Sequence, residues 1–222
     1  MQLHLFASPE PQRALEWAVE TCTECVRGKQ AATIAYLPLG SLVTDASRIE
    51  KAFAGVARIE PINTEMMELA AMEAILRRAA LAYIPGGNAY LLNHRLHASR
   101  LLPSLRKMVR NGLPVVAVDA GVVVCGPNVL TANDLNLVPT PHFDSLDATP
   151  FNLHVNYTDD ARRDNWLAEY HAFHDNPILM LEDGASVRIE GKRTTLSRGN
   201  AWCWRAGAEK QRLTVGEAIS AI

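Results

Sequence analysis

The stretch Leu113-Pro-Val-Val-Ala-Val118 constrains this chain most, because its six apolar or proline positions run straight into Asp119 and then into Ala120-Gly121. It reads as a buried strand that meets a sharp turn, with an apolar helix start, Val122-Val-Val-Cys125, beyond. Small residues on either side of one functional side chain let the backbone bend hard beneath it, which is the mechanics of a nucleophile elbow. The usual elbow reads Gly-x-Ser-x-Gly, whereas here it reads Ala117-Val-Asp-Ala-Gly121, with a carboxylate where a hydroxyl is expected. An aspartate after a strand also caps a following helix by accepting its free N–H groups. The stretch alone leaves both readings open.

The rest of the chain alternates strand-like and helix-like segments. Gln2 to Ala7 predicts a strand ending at Ser8-Pro-Glu-Pro11, and apolar residues from Ala14 to Val26 recur at helical spacing until Gly28. Ala31 to Pro38 is a nearly continuous apolar run of the kind buried on both faces of a parallel sheet. A helix over Asp45 to Ala54, a short strand at Val56 to Ile59, a helix over Glu65 to Arg78 and a strand at Leu81 to Ile84 follow, with Met66, Met67 and Met72 expected in the core. Near the end, Ile178 to Leu181, Ala185 to Glu190 and Arg193 to Leu196 predict a small antiparallel extension, and Ala201 to Arg205 one more strand. Alternation of this kind implies an α/β fold with a doubly wound, mostly parallel sheet and helices on both faces, whose ligands lie outside the carboxyl ends of the strands. Pro85-Gly86-Gly87-Asn88 should face the same crevice as Asp119. Its glycines allow close backbone approach and bare N–H groups, while the plainer reading is a tight loop with Asn88 as helix cap.

Composition narrows the function. A length of 222 residues at 48% hydrophobic fits a single domain spanning 1–222. The net charge of −2, with acidic and basic residues interleaved, offers no basic stripe for nucleic acid. No apolar run reaches the ~20 residues of a membrane span, and Met1-Gln-Leu-His-Leu-Phe6 lacks the basic start of a secretion signal, so a cytoplasmic protein is expected. Cys22, Cys25, Cys125 and Cys203 are too scattered for a disulfide scaffold, and Cys22-Thr-Glu-Cys25 lies mid-helix with no second pair to complete a zinc site. His171 and His174 share a helical face without an evident third ligand. Neither a metal nor a cofactor is expected.

Three runs together carry a resemblance: Tyr83-Ile-Pro-Gly-Gly-Asn-Ala-Tyr-Leu-Leu92, Ala117-Val-Asp-Ala-Gly121 and Leu130-Thr-Ala-Asn-Asp134. In order and spacing the chain resembles the dipeptidase E (α-aspartyl dipeptidase) and cyanophycinase family of serine peptidases, from the first strand to the strands around Ala201-Trp-Cys-Trp204. That resemblance implies a fold like the class I glutamine amidotransferases and a triad of Ser, His and an acidic residue, in which His takes the Ser proton and the acid fixes the imidazole. Carried over, the oxyanion backbone falls on Gly87 and Ala120, with Gly86 and Asn88 beside it as ligand-binding positions. The acidic member falls on Asp134. The nucleophile falls on Asp119, and the histidine, through His154-Val-Asn-Tyr157, on Asn156.

Two of the three chemical groups are therefore replaced. An amide cannot accept and return a proton near neutral pH, and a carboxylate attacking a peptide would have to form an anhydride with an amine as leaving group. The expected function is a family member that has lost serine chemistry and binds a small peptide or small molecule, as a binding or regulatory protein. The alternative is a hydrolase rebuilt on Asp119 with His154, two residues before the histidine position, and Asp134. A third reading is a peptidase with an unrecognised nucleophile. No Lys or Arg occurs from Asn111 to Ala161, so a cation for an acidic ligand must come from elsewhere; Arg162-Arg163 are candidates, although a helix opening Asp159-Asp-Ala-Arg-Arg-Asp more often displays such charges on a solvated face. Trp202 and Trp204 either pack the core or mark a subunit contact, which leaves a homodimer open.

Overall fold

A computed structural model describes residues 1–42 and 46–219. In chain order the first elements are β1 (Gln2–Phe6), α1 (Pro11–Val26), β2 (Thr33–Tyr36), α2 (Ala46–Ala52), β3 (Arg58–Pro61), α3 (Leu69–Arg78), β4 (Leu81–Ile84), α4 (Ala89–Ala98), α5 (Leu101–Arg110), β5 (Val115–Val118) and α6 (Ala120–Val124). They are followed by β6 (Asn152–Val155), α7 (Ala161–His171), β7 (Ile178–Leu181), β8 (Ser186–Glu190), β9 (Arg193–Arg198), β10 (Ala201–Trp204) and β11 (Gln211–Arg212).

Seven strands form the main sheet in the order β3-β2-β4-β5-β1-β8-β9. The first five are parallel, and β8 and β9 add antiparallel at the β1 side. Every residue of β4 and β5 is buried, as strands covered on both faces must be. The period of two then sorts their side chains. Leu81, Tyr83, Val116 and Val118 pack with α1 on one face, while Ala82, Ile84, Val115 and Ala117 pack with α3, α4, α5 and α6 on the other. Pairing of parallel strands in this order sends the loops after β1, β4 and β5 to one edge of the sheet.

Several expectations needed correction. The C-terminal strands do not form one extension: β8 and β9 join the main sheet, whereas β7 and β10 belong to a second sheet of order β11-β10-β7-β6. Strand β6 runs parallel to β7 there. Helix α3 starts at Leu69 rather than Glu65, because the backbone N–H groups of Met66 and Met67 turn back to the Asn63 carbonyl before the helix begins. Met66 is in consequence 82% exposed and Met67 only partly buried, leaving Met72 alone of the three in the core. Helix α5 was not anticipated. Asp45, expected to open α2, lies outside the described residues. Trp202 and Trp204 pack partly against the small core of Tyr157, Leu167, Tyr170, Ile178 and Met180. Among the described residues no helix is long and apolar enough to cross a membrane.

Candidate functional site

Between β5 and α6 the backbone turns at Asp119 with φ 43° and ψ −104°, a conformation that a side chain makes costly. The turn is tight because α6 starts directly against β4: a Cβ at Gly121 would run into the Ile84 carbonyl. The elbow expected from the sequence is therefore present. The competing helix-cap reading is not, since the Asp119 side chain makes no capping bond to α6. Its Oδ1 instead accepts the Ser8 N–H at 2.8 Å and the Asn156 side-chain amide at 3.4 Å. Burial pushes the carboxyl group up to about 7, against the downward pull of those two donors, and the charges of Asp134 and Asp183 add to the rise.

The loop after β4 faces this turn as expected. Gly86 approaches the Asp119 carboxylate so closely that a Cβ there would lie 3.5 Å from Oδ2. At Gly87 φ is +134°, and a Cβ would be 2.5 Å from the Gly40 carbonyl oxygen, so both conformation and space demand glycine. Asn88 acts as the cap of α4, its Oδ1 accepting the Leu91 N–H at 2.9 Å, while its Nδ2 donates to the Leu135 carbonyl at 2.9 Å. Among the described residues, the N–H groups of Gly87 and Ala120 donate to no backbone carbonyl.

The remaining expected residues are arranged differently. Asp134 Oδ2 accepts the Ala89 N–H at 2.7 Å, holding the start of α4, and burial raises its pKa. It makes no hydrogen bond to Asn156. Asn156 follows β6 with φ 54°, and its Oδ1 is buried without a partner. That positive φ breaks the strand alternation, so His154 does not share the direction of Asn156 as an unbroken strand requires. His154 is fully buried, edge-on to Tyr157 and Trp166, with Nδ1 2.8 Å from the Thr131 carbonyl and Nε2 unpartnered. Burial lowers its pKa to about 4, keeping the ring neutral. Asp119 and Asn156 are thus brought together, and His154 is sealed away from both. Arg163, one of the two cations the sequence offered, hydrogen-bonds Asn133 and lies over the Trp166 ring.

A cleft of about 430 Å³ opens beside the elbow, lined by Ser8, Tyr36, Tyr83, Gly87 and Asp119. Arg48 of α2 is also in its lining, and hydrogen-bonds Gln12 at 2.7 Å. This is the cation that sequence distance hid: only the fold returns α2 to the strand ends. Ser8, in sequence only part of the turn after β1, gives its N–H to the elbow carboxylate, and its Oγ accepts from Arg13 Nε at 2.9 Å.

A parallel α/β sheet, a strained strand-to-helix elbow and a facing glycine loop define the class of elbow-bearing α/β proteins. Residues 6–197 match the model of Peptidase family S51, and the chain belongs to that family. It is 35% identical over 133 residues to a probable α-aspartyl dipeptidase of Drosophila melanogaster, covering 56% of this chain and 55% of that one. With Peptidase E of Streptomyces coelicolor it shares 32% identity over 158 residues, 67% of this chain and 65% of the relative. The matches therefore span between about half and two thirds of those two relatives' lengths. In fold it is similar to the crystal structure of a putative peptidase E protein from Listeria monocytogenes, with a TM-score of 0.70 at 21% identity over 89% of this chain and 98% of the other. A peptidase from an acI-B1 actinobacterium superposes with a TM-score of 0.72 at 15% identity, over 99% and 96% of the two chains.

Proposed function

We propose that this member of Peptidase family S51 has lost serine peptidase chemistry and acts as a binding or regulatory protein for a small peptide or amino-acid-like ligand. One observation carries the reading: at the elbow, the side chain that should attack is a carboxylate tied to the Ser8 N–H and to an amide rather than to an imidazole. An amide in that place holds the carboxylate but cannot relay a proton. The cleft presents the Asp119 carboxylate and the Arg48 guanidinium together, so a ligand with an ammonium and a carboxylate satisfies both. The names of the relatives, which are dipeptidases and peptidases, agree with a ligand of peptide character. A hydrolase rebuilt on Asp119, His154 and Asp134 has less support, because His154 is turned into the core and Asp134 is committed to α4.

The test is the double variant Asp119→Ser with Asn156→His, assayed on an α-aspartyl dipeptide beside the unmodified protein and each single variant. The unmodified protein is expected to give no turnover and no adduct with a serine-directed phosphonate, while the double variant gains measurable hydrolysis. Turnover by the unmodified protein that vanishes in Asp119→Ala defeats the reading.

A further inference from the structure

The end of α4 remote from the elbow carries a second arrangement of groups. His97, in the last turn of α4, meets His142 and Asp144, and one ligand atom from each lies within 4.8 Å of the others. The two imidazoles stack with centroids 4.8 Å apart and planes at 15°. His97 Nε2 is 2.8 Å from the Asp144 carbonyl oxygen and 3.6 Å from its Oδ1. Arg106 lies 3.4 Å from the other carboxylate oxygen, Oδ2, and so holds Oδ1 toward His97.

We propose that His97, His142 and Asp144 form a site for a divalent transition metal that accepts mixed imidazole and carboxylate ligands, of which Zn2+ is the type, with water completing the coordination. In a tetrahedral Zn2+ site with ligands at about 2.0–2.2 Å, neighbouring donor atoms are about 3.3–3.6 Å apart. The spacing of His97 Nε2 and Asp144 Oδ1 is already close to that edge. Stacked rings cannot both aim in-plane lone pairs at one ion, so one ring must turn. His142 is the free one to do so: its side chain is exposed, whereas its backbone is fixed by the Asn93 side-chain amide donating to its carbonyl at 3.3 Å. A ligating arrangement needs the turn of His142 and, at His97, exchange of the Nε2–H hydrogen bond to the Asp144 carbonyl for the metal, with the ring proton carried on Nδ1. Two neutral imidazoles and one carboxylate match the preference of Zn2+, Ni2+ and Cu2+ over Mg2+ or Ca2+, which favour all-oxygen sites.

The site also has a structural consequence. The segment from Asp134 to Asp144 is tied to the start of α4 through Asp134 and Leu135 and to its end through His97. A metal there replaces that second tie with bonds to His97 and Asp144, and binding to the folded state alone raises stability. His171 and His174, the pair noticed in the sequence, are different: His174 stacks on Tyr170, and no third donor joins them among the described residues.

The experiment titrates the metal-stripped full chain with ZnCl2 by calorimetry and with Co2+ by visible absorption. One equivalent should bind, with Co2+ bands of nitrogen and oxygen ligation and an increase in Tm. His142→Ala and Asp144→Asn should each weaken binding by at least about tenfold, while the His171→Ala, His174→Ala double variant binds as the unmodified protein does. Because His142 is exposed, His142→Ala should keep the metal-free Tm, so loss of binding is not loss of fold. Undiminished affinity in His142→Ala, binding abolished only in the His171 and His174 variant, or no saturable binding at all overturns the proposal.

Discussion

Two regions meet at the Asp119 carboxylate and differ in kind. On the side of β4 and β5 the backbone is that of an elbow: Asp119 holds a costly conformation, Gly87 one that only glycine takes without strain, and Gly121 lets α6 touch Ile84. On the side of β6 stand an amide at 156 that reaches Asp119 and a neutral histidine turned inward. The comparison teaches that conformation and chemistry are maintained by different forces. Strained turns at the sheet edge are locked by packing that the whole core needs, whereas a proton-relaying side chain stabilises nothing and is free to change.

If that division is right, Gly121→Ala should have the largest effect, costing about 3 kcal/mol or more because the methyl group meets a backbone carbonyl that cannot move without shifting β4. Urea denaturation measures it, and a cost under about 1 kcal/mol would show that the elbow is not locked by packing. Asp119→Asn should come next and should act with the opposite sign. The folded carboxyl keeps its proton up to about pH 7, against a model value of 3.8, so the folded state holds the extra proton between these limits and loses stability as pH rises through them. An amide escapes that cost, so Asp119→Asn should be more stable than the unmodified protein by about 1–2 kcal/mol at pH 8 and gain little at pH 4.

His154 sharpens the comparison because its slope runs the other way. Its folded pKa is lowered from 6.5 to about 4, so its contribution is fully present above pH 6.5 and is lost as pH falls toward 4. His154→Phe should cost about 1 kcal/mol at pH 7, through the lost bond to the Thr131 carbonyl. It should also flatten the acid side of the stability profile, leaving the opposite slope of Asp119 exposed in denaturation curves at pH 4.5 and 6.5. The smallest effect is expected for Arg48→Ala, which should leave the urea midpoint unchanged and weaken binding of an α-aspartyl dipeptide by about tenfold, read by calorimetry. Equal affinity would remove Arg48 from the ligand contacts.

Much of this was legible in the sequence where the signal was local. The elbow follows from an apolar run ending in Asp119-Ala-Gly121, and the parallel sheet from strands alternating with helices. Helix α5 was legible too and was missed, for Leu101, Leu102, Leu105 and Val109 recur at helical spacing and form its buried face. What could not be read is which way tertiary contacts turn a polar group. Asp134 is an acid at the expected distance from the elbow, but whether it meets residue 156 or the start of α4 depends on the path of the loop between them. The same holds for Asn156, whose positive φ cancels the alternation that would have aligned it with His154. Arg48 is a cleft residue only because α2 packs on β3 with Arg48 and Ile49 turned into the cleft at the strand ends.

That sheet order also sets a schedule. Strand β1 is covered on one side by β5 and on the other by β8, about 180 residues further along the chain. During synthesis at about 5–20 residues per second, its open side therefore waits on the order of ten seconds or more after β1 has formed. Through that interval an apolar strand offers unpaired N–H and carbonyl groups to any neighbour, as edge strands do. The hairpin of β8 and β9 is thus a late-arriving shield, and a chain halted before Ser186 should be a client for chaperones even though the elbow, the glycine loop and β6 have all been made.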